Sequence, residues 1–115
     1  MTKDKIRANI LELCSESEYG SWEFWLKKSE DRTVEDAEQI TQAIVDLVKE
    51  KKIYPMEYAS VKDQTYKETE LDVDRLKKQI ISFLDFDNFV GADNCYWFLA
   101  TEEGKKEDSL LRSKK

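Results

Sequence analysis

The stretch TVEDAEQITQAIVDLVKEKKIYPMEY, Thr33 to Tyr58, decides how the rest of the chain is read. Val34, Ala37, Ile40, Ile44, Leu47 and Val48 recur at helical spacing with Thr41 on the same side, so a long helix carries one apolar face. Thr33 is placed to cap its first turn, and Asp36, three positions on, to complete a capping box. Glu35 and Asp36 stand at the start, and Lys49, Lys51 and Lys52 at the end, each sign where the helix dipole favours it. Pro55 pushes Tyr54 towards extended backbone, so the helix closes by Lys52 and the chain leaves as a strand.

Upstream, residues 2–15 read as a first helix with Ile6, Ile10, Leu13 and Cys14 as its apolar stripe. After a connection containing Gly20, a short second helix is expected, with Ser21 as N-cap and Trp22, Phe24, Trp25 and Leu26 running to Lys28. Downstream, Tyr54, Met56 and Tyr58 alternate with Pro55, Glu57 and Ala59, the pattern of a strand with one covered face. Pro55 suits an edge or the beginning of such a strand. Residues 61–68 read as a second, irregular strand or an exposed loop. Thr69 and Asp72 make another capping-box pattern, opening a helix with Val73, Leu76, Ile80, Phe83 and Leu84 on one side and Ile81 and Phe86 widening the stripe. An acidic turn from Asp85 to Asn94 precedes the apolar run 95–100, expected to be a buried strand. Thr101-Glu102-Glu103-Gly104 then turns into a polar terminal segment, where Leu110 and Leu111 dock a short last helix. No repeat or linker divides the chain, so residues 1–112 form one expected domain and residues 113–115 a frayed tail.

Composition narrows the function classes. A chain of 115 residues with 40% hydrophobic and 11% aromatic content builds a core, while 38% charged residues demand a heavily solvated surface. The net charge of −6 works against non-specific binding to a phosphate backbone. Cys14 and Cys95 lie in apolar surroundings and read as buried free thiols of a reducing compartment. No apolar run follows Met1-Thr2-Lys3-Asp4-Lys5, so neither a secretory signal nor a membrane span is expected, and cytoplasmic location is the default. With no His in the chain, a zinc site lacks its usual ligands and neither cysteine has an imidazole to activate it. The scattered glycines form no phosphate loop. Asp85, Asp87, Asn88, Asp93 and Asn94 are oxygen-rich, yet a calcium loop begun at Asp85 meets Phe89, Val90 and Tyr96 where it needs a ligand, a glycine and a glutamate. No catalytic set, cofactor or metal is therefore expected.

Two further stretches carry a family resemblance: Leu47-Val48-Lys49-Glu50-Lys51-Lys52-Ile53-Tyr54, and Tyr96-Trp97-Phe98-Leu99-Ala100-Thr101-Glu102-Glu103-Gly104-Lys105. They resemble the end of the third helix and the returning wing strand of the winged helix-turn-helix class. The resemblance implies an α+β fold with three N-terminal helices and a small antiparallel β-hairpin or sheet. It also implies that the helix within residues 69–86 is inserted between the wing strands. It would make the long helix a DNA reader in a transcriptional regulator, with Arg32, Gln39, Gln42, Lys49, Lys51 and Lys52 as contacts. Glu35, Asp36, Glu38 and Asp46 oppose that use, because they would face phosphates. The preferred expectation is thus a small interaction or regulatory module that binds a protein partner or forms a homodimer. Its candidate interface is Trp22, Trp25, Leu26, Val73, Leu76, Ile80 and Phe83. A small acidic protein regulating a basic target is a related reading resting on charge, and a structural domain of unknown activity is a third.

Overall fold

The computed structural model describes residues 2–60, 62–63, 65–84 and 95–113, without the side chains of Trp22 and Ser29. Helix α1 (Lys3–Glu16) starts where the Thr2 hydroxyl accepts the Lys5 N–H, and it buries Ile6, Ile10, Leu11 and Cys14. Leu11 is more deeply buried than Leu13, so the stripe is rotated slightly from the expected one. Strand β1 (Tyr19–Gly20) and two single-turn 3₁₀ segments, Ser21–Phe24 and Ser29–Asp31, lead into helix α2 (Val34–Lys49). Strands β2 (Ile53–Ser60) and β3 (Thr65–Glu68), helix α3 (Val73–Ile81), strand β4 (Trp97–Ala100) and helix α4 (Glu102–Ser113) follow. Among the described residues the strand pairings are antiparallel, and the sheet order is β1-β4-β2-β3.

Helix α2 forms as its sequence dictates. The Thr33 hydroxyl accepts the Asp36 N–H at 3.1 Å, and the Asp36 carboxylate accepts the Thr33 N–H at 3.2 Å. Ala37, Ile40, Ile44 and Leu47 are fully buried, whereas Val34, before the stripe meets the core, is 49% exposed. Each large aliphatic residue so buried stabilises the fold by roughly 1.5–3 kcal/mol. The helix ends in a Schellman motif: Lys52 N–H reaches the Leu47 carbonyl and Lys51 N–H the Val48 carbonyl. Lys51 takes the left-handed position with φ 59°, where glycine is the usual occupant.

The fold expectation needs correction. Two α-helices, not three, precede β2, and strand β1 lies between them. The segment read as a second helix is a 3₁₀ turn because long-range hydrogen bonds claim its start. Ser21 N–H donates to the Tyr96 carbonyl, and the Ser21 hydroxyl to the Gln79 side-chain oxygen. β2 and β4 do pair, Ile53 opposite Ala100 and Met56 opposite Trp97. They belong, however, to a four-stranded sheet that also recruits β1 and β3, not to a wing after a three-helix unit. This interleaved α+β topology also removes the basis for the helix-turn-helix and DNA-reading assignments.

Several local expectations shift as well. Asp72, not Thr69, caps α3 by accepting the Arg75 N–H, while Thr69 N–H donates to the Pro55 carbonyl. That bond shows which way Pro55 faces: its carbonyl, and so its missing N–H, points to the β3 side. Pairing there runs only to Met56 opposite Glu68, so no ladder bond is lost. Thr101-Glu102-Glu103-Gly104 is the entrance of α4, with the Thr101 hydroxyl accepting the Gly104 N–H at 3.1 Å. Ser113 is its last residue, and residues 114–115 lie outside the described part. The acidic turn 85–94, with Phe86 and its calcium-loop reading, also lies outside it.

The core gathers α1, α2, α3 and the 3₁₀ turn on one face of the sheet, around Phe24, Ile53, Tyr96, Phe98 and Ala100. Helix α4 closes against α1. The Arg7 guanidinium bridges Glu107 and Glu50, with four bonds at 2.9 Å, and Arg112 meets Asp108 at 3.0 Å. Ionised partners on both sides hold the Arg7 guanidinium firmly protonated, the Glu107 hydrogen bond contributing most. Among the described residues, no helix is long and apolar enough to cross a membrane.

Candidate functional site

Strand alternation gives the sheet two unlike faces. Ile53, Pro55, Phe98 and Ala100 point to the helices and are buried. Tyr54, Met56 and Tyr58 on β2 share the other face with Trp97 and Leu99 on β4 and with Tyr66 and Glu68 on β3. Register sets this arrangement: Tyr54 lies opposite Leu99, Met56 opposite Trp97 and Glu68, and Tyr58 opposite Tyr66. None of these residues belongs to the core cluster or packs against it. Tyr54, Tyr58, Tyr66, Trp97 and Leu99 are half-buried, and Met56 between them is buried.

The rings form one contiguous cluster. Tyr58 stacks on Tyr66 with centroids 5.0 Å apart, and Trp97 meets Tyr58 at 5.4 Å and Tyr66 at 5.3 Å in tilted or edge-on contacts. Carboxylates border it. Glu68 ends β3, Glu18 immediately precedes β1, and Glu23 accepts the Gly20 N–H at 2.7 Å beside the Gly20–Trp97 pair. Their fields are felt by the phenols. Burial raises the Tyr54 pKa, and Glu68 and Glu18 raise it further. Tyr66 is pushed well above the ordinary range by burial, by its hydrogen bond with Tyr58 and by Glu18 and Glu23. Burial also lifts the Glu23 carboxyl, against the lowering effect of the Gly20 N–H.

A concavity of about 490 Å³ lies elsewhere, between α1 and α2, lined by Asp4, Arg7, Glu35, Glu38, Gln39 and Gln42 among others. Some of its polar groups are already engaged: Gln42 donates to Asp46, Glu38 meets Lys77 outside the groove, and Arg7 is held by Glu50 and Glu107. Among the described residues, no group of three or more His, Cys, Asp or Glu is arranged to hold a metal ion. Cys14 is buried, which raises its thiol pKa and leaves it protonated and unreactive.

The residues expected to form a surface are dispersed. Leu76 and Ile80 are fully buried, and Phe83 is 7% exposed, so the α3 stripe points into the core. Trp25 packs against that core beneath the Arg32 guanidinium, 5.0 Å from its ring centroid. Leu26 and Val73 are exposed, 44% and 45%, but neither belongs to the core cluster or the sheet face. The Trp22 side chain lies outside the described part.

The basic set does not assemble either. Arg32 donates to the Lys27 and Phe83 carbonyls, Gln39 and Gln42 line the acid-rich groove, and Lys52 approaches Glu107 at 3.7 Å. Lys49 and Lys51 stand exposed at the far end of α2. The basic candidate DNA contacts are thus split between the two ends of α2, with the acid-lined groove between them. The sheet face itself was only half visible in the sequence: alternation groups Tyr54, Met56 and Tyr58, but not which group turns away from the helices. Comparison of the chain with family models, with curated proteins and with solved structures returns no match.

Proposed function

We propose that this chain is a non-enzymatic interaction module that binds a protein partner on the outer face of its sheet. One observation carries the reading: a contiguous Tyr58–Tyr66–Trp97 ring cluster, flanked by Tyr54 and Leu99, on the face opposite the core. Aromatic side chains supply much contact area at low entropic cost, and their polar tips satisfy hydrogen bonds at an interface. Half-buried aromatic residues joined in one cluster and bordered by charge match the composition that interfaces favour. The buried thiol of Cys14, which is not in a disulfide, fits a reducing, cytoplasmic setting for this role.

The test is comparative capture. Wild-type protein, Tyr58→Ala, Tyr66→Ala and, as a remote control, Glu38→Ala are used to capture partners from native extract. Calorimetry then measures affinity for the partner retained best. Alanine at either tyrosine should weaken binding about tenfold or more, with Glu38→Ala unchanged. Equal affinity for all four proteins, with folding verified by near-ultraviolet circular dichroism, sinks the proposal.

A further inference from the structure

We propose that the occupant of this sheet face is a basic protein segment whose Lys or Arg side chains lie over the tyrosine rings and end against Glu18, Glu23 and Glu68. This rests on the face being the binding surface, and it adds the partner's chemistry.

Charge placement is the first argument. The carboxylates stand on both borders of the ring cluster, Glu68 on β3 and Glu18 and Glu23 around β1. On the inner face, Glu57 of β2 is met by Lys67 at 3.6 Å and Arg75 at 3.8 Å. Among the described residues, no Lys or Arg comes within ion-pair distance of Glu18, Glu23 or Glu68, so their charges remain available. Tyr54 and Tyr66 sit within reach of those fields, as their raised pKa values require.

Ring chemistry is the second. A cation over a tyrosine face gains from the ring quadrupole, and more so when carboxylates wait at the edge. The same pairing already operates inside the molecule, with the Arg32 guanidinium 5.0 Å from Trp25 and that of Arg75 4.8 Å from Tyr96.

Alternative occupants fare worse. A second copy would bring the same carboxylates against themselves, in a chain of net charge −6. A nucleic acid would bring phosphates to the same border. The groove between α1 and α2 is also acidic, but no aromatic residue lines it, so it offers a cation no ring face, and its Arg7 would oppose a basic segment.

The probe is a short oligo-arginine peptide, titrated into the full isotope-labelled chain by NMR at low and high ionic strength. A Gly/Ser peptide of equal length serves as comparison. Amide shifts should concentrate at Tyr54, Tyr58 and Tyr66, and affinity should fall with salt. Glu18→Gln and Glu68→Gln should each weaken binding roughly two- to five-fold. Tyr58→Ala should weaken it about tenfold, and Tyr58→Phe, which keeps the ring and the fold, should retain it. Shifts mapping to the α1–α2 groove, or equal affinity for the Gln variants, overturn the inference.

The captured native partner separates the two proposals. If Tyr58→Ala releases it but Glu→Gln changes and salt do not, the face stands and its basic occupant falls. If Tyr58→Ala retains it, the face itself falls. A dimer in sedimentation that Tyr58→Ala dissociates assigns the face to a second copy and also overturns the inference.

Discussion

Gly104 lies where the first turn of α4 crosses the chain leaving α2, and replacing it with alanine should destabilise the protein strongly. A Cβ built there falls 1.9 Å from the Lys52 carbonyl oxygen, 2.9 Å from its carbon and 3.3 Å from its Cα. All three are backbone atoms, so no side-chain rotation relieves the clash. Lys52 cannot easily retreat, since its N–H closes the Schellman motif and its carbonyl accepts the Thr101 N–H at 2.9 Å. The α4 entrance must therefore back away by more than an ångström. That separation breaks the Thr101 N–H bond to Lys52 and the Thr101 hydroxyl bond to the Lys51 carbonyl.

Two such hydrogen bonds are worth about 1 kcal/mol each, and forced repacking costs a further 1–3 kcal/mol or so. Alanine returns up to about 1 kcal/mol of helix propensity. The balance is a loss of about 2–4 kcal/mol, or a fall in Tm of roughly 8–16 °C for a chain of this size. Thermal and urea unfolding of Gly104→Ala measures it. Glu103→Ala, next door but largely exposed, should stay within about 0.5 kcal/mol of wild type. A Tm that is unchanged or higher in Gly104→Ala would refute the close approach of α4 to Lys52.

Other consequences are equally direct. Gln79→Leu removes the acceptor shared by the Ser21 hydroxyl and the Tyr96 N–H, both on fully buried residues. It should lower stability by roughly 2–4 kcal/mol in urea titration, and a midpoint equal to wild type would mean these groups find other partners. The Arg7 hydrogen bond, helped by the charges of Arg7 and Lys52, outweighs burial and holds the Glu107 pKa below its usual 4.5. The folded state therefore binds this proton more weakly than the unfolded chain, so the stabilisation exists above that pH and is lost as pH falls through the lowered value. Glu107→Gln should flatten the acid limb of the stability profile, and identical limbs would exclude the ion pair as its cause. For Tyr66 the sign is opposite: its raised pKa contributes stability below the usual value of 10, which fades as pH climbs above it. Ultraviolet titration of the folded protein should show phenols ionising late, with the latest component missing in Tyr66→Phe. A single transition at the ordinary tyrosine pKa would contradict the shielded ring cluster.

What could be read from the sequence divides along the range of the forces involved. Helix α2 and its capping box were legible because Thr33, Asp36 and the stripe from Ala37 to Leu47 act within a few residues of one another. The run 95–100 was legible as a strand for the same reason, although only Trp97–Ala100 forms one. β1 was not, since two residues carry no period and only Tyr19 opposite Phe98 and Gly20 opposite Trp97 make them a strand. Local pattern also misled at Ser21, which looked like a helix cap but bonds to Tyr96 and Gln79, distant in sequence. Lys51 gave no sign of its left-handed backbone, because the residue that usually announces it is glycine. The α3 stripe was read correctly as amphipathic, yet periodicity does not say whether a stripe meets the core or a partner. Leu76 and Ile80 show that it meets the core.

The two faces of the sheet pose the same question. The face carrying Phe98 and Ala100 is accounted for by packing. The opposite face gains stability from its cross-strand ring pairs, each worth about 0.2–1 kcal/mol, so sheet energetics explain part of the aromatic content. They do not explain the carboxylates. Burial raises the Glu23 pKa, so its ionisation at neutral pH opposes folding, and Glu18 and Glu68 place further negative charge near half-buried phenols. A sheet edge made only for stability would be served as well by neutral β-branched residues. Rings that stabilise and charges that do not, side by side on one face, are what a cationic partner would bring into balance: its arrival neutralises the border while covering the rings.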